Sequence, residues 1–346
     1  MNNPNLFRYA TSELSHDAFI AWLLSWSDPY HKNEPLHSFS RHVLRKFFEI
    51  SDIPVKEITR VKVKTQHKNI DVLTIVTDDR NQDWAIIIEN KLFTNEHSDQ
   101  LKRYREAVQA DEDLKSLPEE NIIGIYYKMW EQSNLQNVKE SKYSHFGRKM
   151  MIDLFENYEK GCSHIVDDYF RYLEGLQGEL DAFQEKTLDK WDQAQWTGFY
   201  SRLKSDLKDG DYGYVANRSG GFMGYWLGEQ KIKDGISIYV QSEQDKLCIK
   251  LHVADLKLRQ FAKNFWHTAL IQYARKTNLN IVKPKVMKTG QWFTIGVLNT
   301  SEKPWMVANE NKQIDYNESL STLKKVIRLV ESVSSKKPEF INGLPS

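Results

Sequence analysis

Apolar positions recur at helical spacing near the start of the chain. Leu14, Ala18, Ala21 and Leu24 repeat every three or four residues, which predicts a helix over 11–26. Thr11 or Ser12 can cap its start, and Asp28-Pro29 ends it. A second helix is expected over 38–50, with Phe39, Val43, Leu44 and Phe47 inward. The period then changes to two. Val61 and Val63 alternate with Arg60, Lys62 and Lys64, the pattern of a half-exposed strand. Two further strands are predicted over 70–77 and 84–92, joined by the polar turn Asp78-Asp79-Arg80-Asn81-Gln82. In the second of them Ala85-Ile86-Ile87-Ile88 is apolar at every position, as suits a central strand covered on both faces. A helix over 97–110 and an apolar strand over 122–127 follow. Residues 131–149 read as a long polar loop, and helical segments are expected over 151–159 and 164–184.

This order of helix, strands, helix and strand predicts an α/β domain of three layers around a mixed sheet, with a helical extension, over 1–185. A second unit over 186–346 reads as an α+β module. It has a helix around Trp191, Gln195 and Leu203, strands over 212–216, 222–227, 236–240 and 247–253, a helix over 256–276, a hairpin turning at Thr289-Gly290, and a last helix over 318–332. No repeat or low-complexity segment interrupts the chain.

Length and composition agree with two domains. The 346 residues exceed a usual single domain, and the 40% apolar share supports a real core. A formal net charge of +1 leaves any contact with a polyanion to local basic patches. The two cysteines, Cys162 and Cys248, lie far apart without a CxxC, which argues against a disulfide framework or a cysteine-built zinc site. The polar start MNNPNLFRYA and the absence of a membrane-length apolar run lead us to expect a cytoplasmic protein with no membrane partner.

The chemistry concentrates at the end of the apolar strand. Residues two apart on a strand share a face, so Glu89 and Lys91 point the same way and Asn90 points away. A hairpin centred on Arg80 sets position 71 opposite position 89, which brings Asp71 beside Glu89 on that face. Two adjacent carboxylates repel unless a cation lies between them or one is protonated. Lys91 supplies one positive charge, and a divalent metal would complete the balance. All-oxygen ligands favour Mg²⁺, with Mn²⁺ an acceptable substitute.

An Asp followed by Glu-x-Lys on the next strand resembles the PD-(D/E)XK nuclease superfamily, here through Asp71 with Glu89-Asn90-Lys91. In that superfamily a helix after the Glu-x-Lys strand often carries Gln-x-x-x-Tyr, matched here by Gln100 and Tyr104. An upstream helix usually contributes a glutamate, matched by Glu13 in Ser12-Glu13-Leu14-Ser15-His16. Ile70 stands where the family's proline would precede the aspartate. The resemblance covers roughly 11–128 and implies a restriction-endonuclease-like core and a metal-dependent nuclease. DNA is the expected substrate, and bacterial restriction or phage defence the expected setting. It further implies Asp71, Glu89 and Glu13 as metal ligands, Lys91 as the group that handles the attacking water or a phosphate oxygen, and Gln100 and Tyr104 as supporting residues.

Lys62, Lys64, His67 and Lys68 precede the Asp71 strand and are candidate phosphate contacts. Arg41, Arg45 and Lys46 on the second helix, with Arg60, form a further basic group placed beside the site. His16 and His37 read as structural. In the C-terminal unit Tyr212, Tyr214, Phe222, Tyr225, Trp226, Trp292 and Trp305 suit either base stacking or an ordinary core, and Lys283, Lys285 and Lys288 lie nearby in sequence. That unit is open to a nucleic-acid, protein or small-ligand partner. A double-strand cut would need two sites, from a homodimer or from successive nicks. The competing readings are a non-catalytic binding module on a nuclease scaffold, and a nuclease silent until a partner or ligand acts.

Overall fold

The computed structural model describes residues 4–54, 57–97, 99–217, 220–287, 289–299 and 304–344; Lys288 lies outside them. Within them the chain divides into two compact units, Met1–Gly178 and Glu179–Ser346.

The first unit is organised by the hairpin around Arg80. Strands β1 (Ile58–His67), β2 (Ile70–Asp78) and β3 (Asp83–Lys91) are consecutive and antiparallel, with Val72 opposite Ile88 and Thr77 opposite Asp83. The turn forms because Asp78 Oδ1 accepts the N–H groups of Arg80 and Gln82, each at 2.9 Å. Asn81 takes the left-handed conformation there (φ 57), which its short polar side chain tolerates better than most. Helix α3 (Gln100–Gln109) then returns the chain to β4 (Ile122–Lys128), which runs parallel to β3.

The stretch 131–149 is not a loop. It contains helix α4 (Gln136–Glu140) and strand β5 (Tyr143–Gly147), which extends the sheet parallel to β4. The order is β1-β2-β3-β4-β5, a mixed five-stranded sheet. In β5 only Tyr143 and Phe146 are fully buried. Those two positions do not alternate, so no period-two signal marks the strand. Its pairing is instead set by β4, whose Gly124 lies opposite Tyr143.

Helices cover both faces. Helices α1 (Glu13–Ser25), α2 (Pro35–Glu49), α5 (Arg148–Leu154) and α6 (His164–Asp181) pack with Val72, Val76, Ile86 and Ile88 on one side. Helix α3 packs with Leu73, Ala85 and Ile87 on the other, through Leu101, Tyr104 and Val108. The run Ala85–Ile88 is therefore buried at every position because alternate residues feed two different cores. Each isoleucine contributes about 1.5–3 kcal/mol on burial. The result is an α/β fold with a three-layer, restriction-endonuclease-like core.

The second unit is an α+β module. Helix α7 (Gln193–Leu207) starts at a capping box: Ala194 N–H donates to Asp192 Oδ1 and Asp192 N–H to Gln195 Oε1. A six-stranded sheet follows in the order β10-β11-β9-β8-β7-β6. Its strands are β6 (Asp211–Val215), β7 (Phe222–Lys233), β8 (Ile236–Glu243), β9 (Lys246–Val253), β10 (Ile281–Val282) and β11 (Trp292–Leu298). Helices α8 (Arg259–Lys276) and α9 (Tyr316–Ser334) join α7 on one face, against Ile238, Val240, Ile249 and Leu251, and the short α10 (Lys337–Asn342) adds Phe340. Tyr212, Tyr225 and Trp305 belong to this core, whereas Tyr214 and Trp292 are exposed and Phe222 and Trp226 are half-buried. Among the described residues no helix is long and apolar enough to cross a membrane.

The β4–β5 pairing depends on one missing side chain. A Cβ on Gly124 would come within 2.7 Å of the Tyr143 ring, so Gly124→Ala should lower the unfolding free energy by about 1–3 kcal/mol. Gly175, in α6, would meet nothing within 4 Å. Gly175→Ala should raise it by about 0.5–1 kcal/mol through helix propensity. Urea titrations of both variants against wild type measure the pair, and an unperturbed Gly124→Ala would show that the ring moves away at no cost.

Candidate active site

Continuing the register Val72–Ile88 by one residue sets Asp71 opposite Glu89. Both side chains share the α3 face of the sheet, the parity of Leu73 and Ile87. Glu89 is fully buried, and beside it on β4 is Tyr126. Asp71 Oδ2 accepts the N–H of Asn90 at 3.1 Å, so the backbone of β3 holds it in place. Lys91 Nζ stands 2.6 Å from Glu89 Oε1 and 3.3 Å from Glu13 Oε2. The first of these is a charge contact without alignment: neither Glu89 oxygen receives an aligned hydrogen bond.

The electrostatics follow from burial. Desolvation pushes the Glu89 carboxyl up to about 8, with the Asp71 charge adding to it. Asp71 is raised for the same first reason, with the Asn90 N–H and Lys91 opposing. Burial works against the Lys91 ammonium, but Glu89, Glu13 and Asp71 outweigh it and hold Lys91 firmly protonated. Without a further cation the pair therefore holds a proton, on Glu89, and ionising both acids needs added positive charge.

Glu13, at the first turn of α1, meets Lys91 rather than the Asp71–Glu89 pair. Its Oε1 accepts the N–H of Leu92 at 3.1 Å and the hydroxyl of Thr94 at 2.7 Å. Burial opposes its charge, yet these donors and Lys91 keep its carboxyl below the usual range. Gln100 Nε2 donates to Tyr104 Oη at 2.8 Å, which leaves Gln100 Oε1 buried without a hydrogen-bond partner. Tyr104 packs in the α3 core and also feels the site: burial raises its pKa, with the Glu89 and Asp71 charges adding.

The basic candidates are placed differently. His67 Nε2 lies 2.6 Å and Lys68 Nζ 3.3 Å from Asp111 Oδ2, and Lys64 Nζ lies 3.8 Å from Asp113. These three are paired with acids that follow α3, while Lys62 is exposed on β1. Arg60 pairs with Thr77, and Arg41 donates to the Ile58 carbonyl at 2.8 Å. Both are towards the opposite end of β1 from His67, Arg60 seven residues away (about 23 Å) and the Ile58 that Arg41 contacts nine (about 30 Å), so they are not beside the site. His16 is buried among Phe7, Tyr169 and Tyr172, with its pKa lowered to about 4 by desolvation, and His37 contacts the Trp26 carbonyl at 2.9 Å.

Three residues that pattern reading passed over complete the centre. Asn90 does face the other way, but it is engaged: Nδ2 donates to Asp17 Oδ1 at 2.9 Å. Asp17 is raised to about 7, first by burial and then by Asp71. It stands four residues after Glu13, on the same helix face, and that spacing was a visible signal. Lys128, opposite Lys91 on β4, is buried and donates to the carbonyls of Leu92, at 3.2 Å, and of Thr94. Burial lowers it to about 8. It pins the segment whose N–H and hydroxyl hold Glu13.

A hard divalent cation suits the Asp71–Glu89 pair. The donors are carboxylate oxygens, Glu89 lacks aligned donors, and both acids ionise together only with added positive charge. Among the described residues no three His, Cys, Asp or Glu side chains gather into a metal cage. Two carboxylates are nonetheless a usual protein share for Mg²⁺, which keeps several waters.

A family model described as the PD-(D/E)XK nuclease superfamily matches residues 4–205, more than half of the chain. No curated protein and no solved structure matches it.

Burial already drives Glu89 towards its neutral form. The metal-free Glu89→Gln protein should therefore be at least as stable as wild type. Wild type should gain about 2.7 kcal/mol at a metal concentration a hundred times the dissociation constant, and Glu89→Gln should gain almost none. Thermal melts in chelator, MgCl₂ and MnCl₂ measure this, and a metal-induced rise that persists in the variant excludes Glu89 as a ligand.

Proposed function

Since the chain belongs to the PD-(D/E)XK nuclease superfamily, we propose that it hydrolyses phosphodiester bonds of DNA with Mg²⁺, or Mn²⁺, held between Asp71 and Glu89. The observation that carries this reading is the buried pair of carboxylates beside one ammonium, with the Glu89 oxygens unserved by aligned donors. Such a cluster is costly to maintain in a folded interior unless a cation or a reaction makes use of it.

When bound, the metal supplies Lewis-acid stabilisation of charge developing on the phosphate and lowers the pKa of the attacking water. The chain's own residues do the rest. The Asn90 N–H fixes one Asp71 oxygen, which sets the direction of the other. Glu89 is held by a strand buried on both faces, so its position varies little. Lys91 keeps its proton, because Glu13 and Glu89 both face it. Of the roles open to it, orienting the water or stabilising a phosphate oxygen fits, and abstracting the water's proton does not. Glu13 is a positioning residue in this scheme. It fixes Lys91 and ties the segment after β3 to α1. Gln100 and Tyr104 support the carboxylates from α3, with the unpartnered Gln100 Oε1 a further acceptor for a water.

Supercoiled plasmid, linear duplex, single-stranded DNA and RNA should be incubated with protein in Mg²⁺, Mn²⁺ or chelator. Wild type should cleave DNA with metal only. Lys91→Ala should lose at least about 10²-fold, the scale of removing one transition-state charge partner, and Glu13→Gln less. Intact substrates under every metal condition, with no metal-induced shift in melting, would remove the nuclease proposal; cleavage of RNA alone would replace the substrate.

A further inference from the structure

The sheet of the second unit is covered by helices on one face only. Residues of the opposite parity form a groove with a volume of about 790 Å³, within the range of small-ligand sites. Two aromatic walls bound it. On one side are Phe222 and Trp226, from β7. On the other, Trp292 of β11 stacks on His252 of β9, with ring centroids 5.1 Å apart and planes 19° from parallel. Strands β8 and β9 lie between β7 and β11, and the register staggers the walls: Trp226 is level with Gln241, whereas His252 and Trp292 are level with Ser237, four residues along β8, so the walls stand about 20 Å apart. The floor carries Tyr239 and Gln241, whose neighbours across the sheet are Lys250 and Trp226.

Two features mark this groove as a built site. Trp292 is 61% exposed, a large ring left in water beside other aromatics. Ser237, on the groove face of β8, is only 4% exposed, and its Oγ has no hydrogen-bond partner. A buried hydroxyl without a partner costs free energy that a bound polar group would recover.

Charge selects the occupant. The lining holds four carboxylates, Asp209, Asp211, Glu229 and Glu243, and one ammonium, Lys250; Asp211 is paired with Lys204, so the excess negative charge is that of Asp209 and Glu229. Lys250 is itself paired with Glu243 at 2.5 Å. A polyanion threading the groove would meet this negative lining. Ring faces and carboxylates both attract positive charge. We propose that the groove binds a small, flat aromatic ligand that carries positive charge or amino groups, rather than a nucleic-acid strand. Ser237, level with the His252–Trp292 stack, would serve its polar edge. The proposal is independent of the nuclease reading.

Isothermal titration of the full chain tests it, with N-methylquinolinium as the cationic probe, adenosine as the neutral amino-bearing probe, quinoline sulfonate as the anionic one, and a single-stranded oligodeoxynucleotide as competitor. The cation should bind saturably with one site, adenosine more weakly, and the sulfonate not at all. Trp292→Ala should weaken binding about 10-fold, as loss of a stacking and cation–π partner predicts. Its exposed position keeps the fold intact, which the melting curve checks. Glu229→Gln, a charge change on an exposed residue, should weaken the cation but not adenosine. No saturable binding, affinity unaltered in Trp292→Ala, preference for the sulfonate, or displacement of the probe by the oligonucleotide would each overturn the assignment.

Discussion

Asp71 and Glu89 sit opposite one another across an antiparallel pair, inside a layer where water cannot screen them. Each makes the other harder to ionise, and Lys91 is a single countercharge for two acids. The arrangement persists because the surrounding fold leaves it no escape. Strand β3 is buried on both faces, so Glu89 cannot turn to solvent without dislodging Ile86, Ile87 and Ile88 from two separate cores. The burial of those side chains, about 1.5–3 kcal/mol each, opposes any such turn. An interior designed only for stability would place apolar residues at 71 and 89.

The residues around the pair respond to the same imbalance in different ways. Asn90 offers an N–H to one acid and an amide to another, serving both faces of the sheet from one position. Glu13 draws charge density towards Lys91 without entering the crowded space between Asp71 and Glu89, and Lys128 secures the segment that positions Glu13. Removing Glu13 or Lys128 leaves the carboxylates where they are but loosens the ammonium. The proposed machinery therefore separates the acids, fixed by strands, from the ammonium, fixed through a helix and a loop.

What could be read along the chain follows from the range of the interactions involved. Local periodicity located α2 and the first three strands, and the turn residues 78–82 set the register that predicts the Asp71–Glu89 juxtaposition; α1 lies where expected, but two of its four stripe positions, Leu14 and Ala18, are exposed while Phe19, Ile20 and Leu23 are buried. Strand β5 escaped because a parallel edge strand takes its definition from β4, and its burial at Tyr143 and Phe146 follows no alternation. Asp17 and Lys128 escaped for a related reason. Lys128 looks like an ordinary polar residue until the fold sets β4 beside β3, and Asp17, although spaced one turn from Glu13, shows its partner only when α1 meets Asn90 at the end of β3. The basic residues have partners that local pattern does not show. Charge alone suggested phosphate contacts at His67 and Lys68, yet Asp111, more than forty positions later, lies within ion-pairing distance of both.

The two sheets illustrate how the covering of a face decides where chemistry can reside. In the first unit both faces are closed, so polar function collects at the strand ends, where side chains from α1, β2 and β3 converge. In the second unit the helices occupy one face, and the alternation of each strand places its other residues in a groove. The same period-two rule that buries Ile238 and Val240 presents Ser237, Tyr239 and Gln241. A strand on which every second residue is polar or aromatic needs no further explanation when it faces bulk water. Here Ser237 is buried and unpartnered while Trp292 is left in solvent, the reverse of what hydration alone would favour at either position. A ligand that offers one group to the hydroxyl and a ring to the indole would resolve both at once, which is why a single occupant accounts for the groove better than two unrelated surface accidents.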